Sequence, residues 1–358
     1  MSLENAQDEV AAERRPVDSD RVGVAREQVN PFAGAREKAL HRAGAAAVKQ
    51  LNVVAFKFGG SSLLGADRML HAASLVQTAT RVSNVTVVVS AMKGVTDHLL
   101  SIARALADGK LMQAQQEAEF VLQLHVDVLG ALQLEEEEVL RVGHDLQLLG
   151  RDLLYEVSAQ RRLAAGAELS DSLASFGERF SARLFAAALE KSGVAAVPVA
   201  SSDFVLTCDT FRDAQPHLEQ TKQRGRKVLL PLLGAGIVPV VTGFIGATPD
   251  GRITTLGRNS SDFSGAIIAH VAEAAELVIW TDVDGIYTAN PKESVEARLL
   301  HELSYDEAHA LAASGAKVLH AKVLPLAAET EMVVWVRNTF NPQARGTRIG
   351  PISQEELS

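Results

Sequence analysis

The residues best suited to chemistry lie in the segment VVAFKFGGSS at positions 53–62. An apolar run leads into Lys57, which is followed by Phe58, two glycines and two serines. A lysine at the end of a strand, beside residues without side chains, brings one cation and several backbone N–H groups against a phosphate. The spacing matches neither the GxxxxGK[ST] phosphate loop nor the GxGxxG dinucleotide motif. An ordinary Gly-Gly turn is the alternative interpretation of this segment alone.

A second polar block, TTLGRNSSDFSGA at 254–266, leads into a predicted helix. Its Arg258 can bind a carboxylate through two parallel hydrogen bonds. Small polar residues before a helix also form an anion site, because the first backbone N–H groups of a helix lack partners. The alternative is an ordinary capped helix that begins at Asp262, although the density of polar residues exceeds what a cap requires.

A third block, VIWTDVDGIYTANPK at 278–292, places Asp282 and Asp284 directly after a buried strand. Open α/β sheets bind ligands outside the carboxyl ends of their strands, so this is a candidate ligand edge. Tyr287 and Lys292 could contact a nucleotide base and phosphate. The DG dipeptide predicts a turn in any case.

Other polar side chains could face a ligand from three further places. Ser90 follows a predicted strand, and Thr96 opens a helix, where an ordinary N-cap is the favoured interpretation. Glu178 stands beside a mid-helix glycine and could hold a substrate ammonium group. A surface ion pair with a neighbouring arginine explains Glu178 equally well. Lys317, where a helix is predicted to begin at GAKVLH, could add a second cation at a polyphosphate.

The elements that must position these residues alternate from residue 51 onward. Short apolar runs predict six strands, at Val53–Phe56, Val85–Val89, Ala195–Val199, Val238–Phe244, Leu277–Trp280 and Met332–Val336. Amphipathic patterns predict helices at Ala66–Val82, Thr96–Ala107, Met112–Leu132, Leu146–Leu163, Ser170–Lys191, Asp262–Ala275 and Tyr305–Ala313. This alternation predicts an α/β fold whose parallel or mostly parallel sheet is covered by helices on both faces.

Composition limits the class of protein. The chain has 358 residues and carries 35 basic against 44 acidic side chains, a balance that argues against a nucleic-acid surface. Its single cysteine, Cys208, excludes an internal disulfide framework and a cysteine-based metal site. No window approaches the ~20 apolar residues that span a bilayer, and no secretory signal begins the chain. We therefore expect a cytoplasmic protein without a membrane partner.

The first 50 residues differ from the rest. They mix acidic and basic side chains with Ala/Gly runs and contain few large apolar groups. Such a segment cannot bury enough surface to offset its ordering entropy, so residues 1–50 are predicted to be a disordered extension.

The motifs KFGGSS, TLGRNSSD, WTDVDGIYT and GAKVLH, in this order, resemble those of the aspartokinases within the amino acid kinase family. They also resemble the kinase half of the bifunctional aspartokinase/homoserine dehydrogenases. The resemblance implies a catalytic domain over residues 51–350 with a short tail over 351–358. It also implies the fold of that family, a three-layer α/β sandwich with a mostly parallel central sheet.

The resemblance implies an ATP-dependent phosphotransferase that phosphorylates the β-carboxylate of L-aspartate. This reaction opens lysine, threonine and methionine biosynthesis. The implied cofactors are ATP and Mg²⁺, with no dedicated metal-binding side chains. The implied partners are small-molecule substrates, and a homo-oligomer is left open. Two alternatives remain at this point: another carboxylate kinase of the same fold, such as an acetylglutamate kinase, and a non-catalytic partner that binds aspartate or nucleotide.

The resemblance also implies a role for each residue that matches a position in the family's motifs. The catalytic residues implied are Lys57 and Asp262. The nucleotide contacts implied are Lys57, Phe58, Gly59, Gly60, Thr281, Asp282, Tyr287, Lys292 and Lys317. The aspartate contacts implied are Ser90, Thr96, Glu178, Arg258 and Ser261. On the nucleotide side the chain departs from the family, with Asn290-Pro291-Lys292 where DPR is usual and Ala321 where proline is usual. The lysine loses the bidentate geometry of an arginine.

Aspartokinases usually continue into paired regulatory ACT modules, and the bifunctional proteins continue into a dehydrogenase. The residues after 350 are too few for either. We therefore expect no ACT or dehydrogenase domain here, and no feedback inhibition of this chain alone by lysine, threonine or methionine.

Overall fold

A computed structural model describes residues 52–159, 166–257, 260–289, 294, 296–313 and 319–351. The predicted extension over 1–50 and nearly all of the predicted tail lie outside these residues. The strands of the described part are β1 (Val53–Phe58), β2 (Asn84–Val89), β3 (Ala196–Val199), β4 (Val238–Thr242), β5 (Ile245–Ala247), β6 (Ile253–Thr255), β7 (Glu276–Thr281), β8 (Ile286–Tyr287), β9 (Leu299–Leu300), β10 (Glu302–Leu303), β11 (Val333–Asn338) and β12 (Thr347–Ile349).

Eight of these strands form one sheet in the order β10-β12-β11-β7-β1-β2-β4-β3. Every neighbouring pair is parallel except β11 with β12. The central strands are almost continuously apolar, as expected for strands that are covered on both faces. Two small hairpins, β5–β6 and β8–β9, lie outside this sheet. The predicted mostly parallel sheet is confirmed.

Helices cover both faces of the sheet. In the described part they are α1 (Ala66–Ala79), α2 (Val95–Ala107), α3 (Leu111–Ala131), α4 (Glu136–Ala159), α5 (Ala167–Ala174), α6 (Phe176–Lys191), α7 (Leu218–Gly234), α8 (Ser261–Val271), α9 (Tyr305–Ala313) and α10 (Val323–Glu329). None of them is long and apolar enough to cross a membrane.

Strand β1 shows how the two faces are filled. Phe56 and Phe58 pack into the core shared with α1 to α6, and the Phe58 ring lies 5.3 Å from the ring of Phe185 on α6. Val53 and Ala55 instead join the core shared with α7, α8 and α10. Because side chains alternate along a strand, Lys57 follows Ala55 toward the face that α8 covers.

The sequence predictions differ from the structure mainly at helix ends. The helix predicted from Ser170 is two helices, α5 and α6, and Ser170 lies inside α5 rather than at its N-cap. The helix predicted from GAKVLH lies mostly outside the described residues. Leu319 and His320, which are described, are not helical, and the next described helix, α10, begins at Val323. Helix α4 begins at Glu136, ten residues before the predicted start. Three glutamates therefore occupy its first turn, where their negative charge interacts favourably with the positive end of the helix dipole.

Candidate functional site

An ion pair between a buried lysine and a partly exposed aspartate lies at the carboxyl end of the central strand. Lys57, on β1, is 5% exposed, and its Nζ lies 2.7 Å from Oδ1 of Asp262 in the first turn of α8. Helix α8 can approach this closely because a Cβ at Gly265 would lie only 3.1 Å from the Cβ of Lys57. The fold therefore holds one ammonium group in a fixed place at the ligand edge of the sheet.

The chain turns sharply after Lys57. Phe58 ends β1, and residues Gly60–Leu63 form a 3₁₀ turn. A Cβ at Gly59 would be 3.7 Å from both Lys57 Nζ and the carbonyl oxygen of Trp280, so this glycine leaves the ammonium group accessible. A Cβ at Gly60 would be 2.6 Å from the carbonyl oxygen of Ala91, so only glycine fits there. Gly60 thus serves a close approach of backbone that an ordinary turn would not need, and Gly59 places no side chain against the ammonium group of Lys57.

Glu178 lies inside the protein rather than on its surface. It is 3% exposed, and its Oε1 accepts a hydrogen bond from the backbone N–H of Ala91 at 3.0 Å. Gly177 permits this contact, because a Cβ there would be 2.6 Å from the Cβ of Ala91. The surface ion pair with a neighbouring arginine is therefore wrong: Arg179 lies 3.8 Å from Asp152 instead.

The charge state of Glu178 depends on its burial. Desolvation raises its pKa from 4.5 to about 8, and the hydrogen bond from Ala91 and the positive charge of Lys57 oppose that shift. Its Oε2 is buried and has no hydrogen-bond partner among the described residues. A buried carboxylate oxygen without a partner is costly, so it indicates a site for a cationic ligand group.

Two serines share this property. Ser90 directly follows β2, and its hydroxyl is buried without a partner in the described part of the chain, as is that of Ser260 before α8. Thr96 is the second residue of α2, whose N-cap is Gly94, so the N-cap interpretation of Thr96 is wrong. Ser261 begins α8 beside Asp262. Hydroxyl groups left unpaired at strand and helix ends suit an anionic ligand.

Asp282 and Asp284, which the sequence analysis placed together at a candidate ligand edge, have different surroundings in the structure. Asp284 is a structural residue, because its Oδ1 accepts from the side-chain amides of Asn338 at 2.7 Å and Asn341 at 3.2 Å. Asp282 is exposed, and its Oδ1 accepts a long hydrogen bond of 3.4 Å from the hydroxyl of Thr281. Tyr287 is half-buried on β8, and burial raises its pKa.

Neighbouring parallel strands bring these groups to one edge. The carboxyl ends of β2, β1 and β7 lie side by side and carry Ser90, Lys57 and Thr281. Three predicted contacts, Arg258, Lys292 and Lys317, lie outside the described residues.

Sequence reasoning missed the residues that brace this edge. The hydroxyls of Ser62 and Thr339 are 2.7 Å apart and fully buried, which ties the turn after Lys57 to the end of β11. Asp171, on α5, is also buried and accepts three hydrogen bonds. The sequence carries no signal for these contacts, because Ser62, Asp171 and Thr339 each stand beside other polar residues and nothing in the sequence identifies their partners.

We predict that Glu178 makes folding stability fall with rising pH. The proton is held in the folded state up to about pH 8 but leaves the unfolded chain near pH 4.5. The stabilising contribution is therefore complete below the unfolded pKa and is lost as pH rises through the folded pKa. Denaturant unfolding between about pH 5 and pH 8 should show a smaller loss of stability for Glu178→Gln than for the wild type. Equal losses in the two proteins would contradict the prediction.

The side chains around the site offer few ligands for a metal ion. In the described ranges no group of three or more His, Cys, Asp or Glu side chains is arranged to hold a metal ion. Mg²⁺ is commonly held by one or two carboxylates together with substrate phosphates. The exposed carboxylate of Asp282, at the end of β7, fits that arrangement.

The chain is similar in sequence to known proteins. A model of the amino acid kinase family matches residues 52–338. Lysine-sensitive aspartokinase 3 of Escherichia coli is 33% identical over 297 residues, covering 83% of this chain and 64% of that protein. A bifunctional aspartokinase/homoserine dehydrogenase 1 of Arabidopsis thaliana is 32% identical over 297 residues, covering 82% of this chain and 32% of that protein.

The fold also matches a solved structure. The crystal structure of E. coli aspartokinase III in complex with aspartate and ADP aligns with a TM-score of 0.77 at 31% identity. The match covers 85% of this chain and 65% of that one. The chain thus spans just under two thirds of the E. coli protein. These matches confirm the resemblance inferred from the motifs.

Proposed function

Because the chain belongs to the amino acid kinase family, we propose that it transfers the γ-phosphoryl group of ATP to the β-carboxylate of L-aspartate. Residues 51–350 would form the catalytic domain. The observation that carries the proposal is the ion pair of the buried Lys57 with Asp262 at the end of the central strand. Glu178, whose Oε2 has no partner among the described residues, interacts electrostatically with Lys57.

The acceptor side of the proposed site lies along the ends of β2, α2 and α6. Glu178 would hold the ammonium group of aspartate, since its buried Oε2 lacks a partner among the described residues. The hydroxyl of Ser90, in the same state, would donate to an acceptor carboxylate. Thr96, Arg258 and Ser261 are assigned to the acceptor by their positions in the motifs.

The nucleotide side lies along β1 and β7. The backbone from Phe58 to Gly60 would lie against the phosphates beside Lys57, because both glycines leave that surface free of side chains. Contacts with the rest of the nucleotide are assigned to Thr281, Asp282, Tyr287, Lys292 and Lys317.

The proposed chemistry needs little from the protein beyond position and charge. A carboxylate nucleophile is already ionised at neutral pH, so no general base is required. Negative charge develops on the departing ADP and is spread over the oxygens of the transferring phosphoryl group, and Lys57 would stabilise this charge. Asp262 would orient the ammonium group of Lys57. Asp282 would hold the Mg²⁺ that accompanies the nucleotide, and the bound ion would supply further neutralisation of phosphate charge.

We predict that Gly60→Ala lowers kcat strongly. The new methyl group would meet the carbonyl oxygen of Ala91 and the amide nitrogen of Lys93, which are backbone atoms that cannot rotate away. The turn beside Lys57 must then shift. Gly130→Ala is the matched control, because that exposed position on α3 has open space and favourable helical geometry, with a gain of at most ~1 kcal/mol. Steady-state kinetics of the folded variants measure the difference, and a wild-type kcat for Gly60→Ala would oppose the prediction.

The proposed function is tested by ADP release with several acceptors. The chain is assayed with ATP, Mg²⁺ and L-aspartate, N-acetyl-L-glutamate or no acceptor. ADP release that depends on L-aspartate supports the proposal. Preference for N-acetyl-L-glutamate would identify a different carboxylate kinase, and release without any acceptor would indicate simple ATP hydrolysis.

A further inference from the structure

One buried carboxylate outside the motifs ties together two segments that are distant in the chain. Asp171, on α5, is 2% exposed. Its Oδ2 accepts from the backbone N–H groups of Arg212 and Thr255, each at 2.8 Å. Its Oδ1 accepts from the hydroxyl of Thr255, also at 2.8 Å. A single side chain thus collects three donors from two segments that are far from it in the chain.

The two segments also touch each other. The backbone N–H of Ala214 donates to the carbonyl oxygen of Thr255 at 2.9 Å. A Cβ at Gly257, where φ is 99°, would lie 2.9 Å from Oδ1 of Asp213. We call these segments, residues 212–214 and 255–257, the acceptor wall. In the chain Gly257 directly precedes Arg258, and the described structure resumes just before α8, which carries Asp262.

The acceptor wall needs a strong hydrogen-bond acceptor at the position of Asp171. Arg212 has a φ of 71°, a left-handed conformation that costs free energy for a residue other than glycine. Both its N–H group and that of Thr255 would lose their partner if Asp171 were lost. Thr255 is buried, and buried backbone donors are rarely left unpaired. The charged carboxylate can satisfy both donors with one oxygen and the threonine hydroxyl with the other.

We propose that Asp171 is a positioning residue that fixes the acceptor wall and thereby sets the affinity for the acceptor amino acid. This inference rests on the proposed function, since it assigns the wall to the acceptor. The nucleotide groups Thr281 and Tyr287 make none of these contacts, so nucleotide affinity should change little when Asp171 is replaced.

The test separates a positioning role from general destabilisation. KM for L-aspartate and KM for ATP are measured for Asp171→Asn, Asp171→Ala and Thr255→Val. For Asp171→Ala we expect KM for L-aspartate to rise about tenfold or more, since hydrogen bonds to a charged group are lost. KM for ATP should change less than about twofold. Asp171→Asn and Thr255→Val should shift KM for L-aspartate in the same direction by less, and they keep the test valid if the alanine variant does not fold.

Two controls define the result. Glu168→Gln removes an exposed carboxylate on the same helix, 3.5 Å from Arg252, and should leave both KM values unchanged. Thr255→Ser keeps the hydroxyl donor that Thr255→Val removes, so its KM for L-aspartate should equal that of the wild type. Hydrogen exchange at Arg212 and Thr255, measured without substrate, should be faster in Asp171→Ala or, if that variant does not fold, in Asp171→Asn.

The outcomes distinguish the two proposals. A wild-type chain that phosphorylates no aspartate refutes the proposed function and, with it, the acceptor assignment. An active wild type whose folded variants keep the KM for L-aspartate, or raise both KM values equally, overturns the positioning role of Asp171 alone.

Discussion

Replacement of Lys57 by alanine is expected to lower kcat by about 10³-fold or more while the protein stays folded. Lys57 is the buried cation at the end of the central strand, and Gly59 places no side chain against its ammonium group. In the transition state negative charge builds up on the bridging oxygen of the departing ADP and is spread over the oxygens of the transferring phosphoryl group. A cation that contacts it there therefore contributes more to kcat than to substrate binding.

The fold should survive this replacement. Asp262 loses its partner, but its side chain is 22% exposed, so water can solvate the carboxylate. Lys57→Met keeps the volume of the aliphatic chain against Gly265 and serves as a second variant. The matched control is Lys110→Ala, which removes a lysine from an exposed ion pair with Asp108 and should leave kcat unchanged. Circular dichroism and thermal unfolding establish folding, and a kcat within about tenfold of the wild type in both folded variants would contradict the role of Lys57.

Replacement of Glu178 by glutamine is expected to have the second largest effect, on the choice of acceptor. The wild type should prefer L-aspartate over succinate, which has the same two carboxylates but no ammonium group. In Glu178→Gln the charge-assisted contact is lost, which corresponds to ~1.5–3 kcal/mol or about 10- to 100-fold in kcat/KM for L-aspartate. The value for succinate should change far less, because that acceptor never formed the contact.

The burial of Glu178 adds a pH signature to this preference. With a pKa of about 8, the Glu178 carboxyl group holds a proton at neutral pH while no substrate is bound. Binding an ammonium group requires the ionised form. The wild-type kcat/KM for L-aspartate should therefore rise with pH up to about 8, and Glu178→Gln should lack this rise.

Glu190→Gln, on the same helix and in an ion pair with Arg141, is the matched control for Glu178. It should change neither the acceptor preference nor its pH dependence. Equal losses for L-aspartate and succinate in Glu178→Gln would mean that Glu178 supports the fold of the site rather than the ammonium group.

The central sheet could be predicted because its strands are continuous apolar runs. All six predicted strands exist, with ends shifted by a few residues. The hairpin strands β5, β6, β8 and β9 were missed because strands of two or three residues carry no periodic pattern. Helix α7 was missed because it contains Gly225 and Pro231, which indicate a loop. In the structure Gly225 is there for packing, since a Cβ would lie 2.4 Å from Cγ1 of Val271 on α8.

The site was predictable only as far as its motifs reach. The pairing of Lys57 with Asp262 joins two motifs, so the resemblance placed both residues on one site. The braces could not be found in the same way. Ser62 and Thr339 are 277 residues apart, and Asp171 and Thr255 are 84 apart, so only the folded chain reveals that they are partners.

The central claim is that this chain makes an acyl phosphate on L-aspartate, and trapping the product with hydroxylamine tests it most directly. The purified chain is incubated with ATP, Mg²⁺, L-aspartate and hydroxylamine, and the hydroxamate is identified by mass spectrometry. We predict the β-hydroxamate of aspartate from the wild type and from Lys110→Ala, and almost none from Lys57→Ala. The absence of this product from the folded wild-type chain, or its formation at an undiminished rate by Lys57→Ala, would contradict the account.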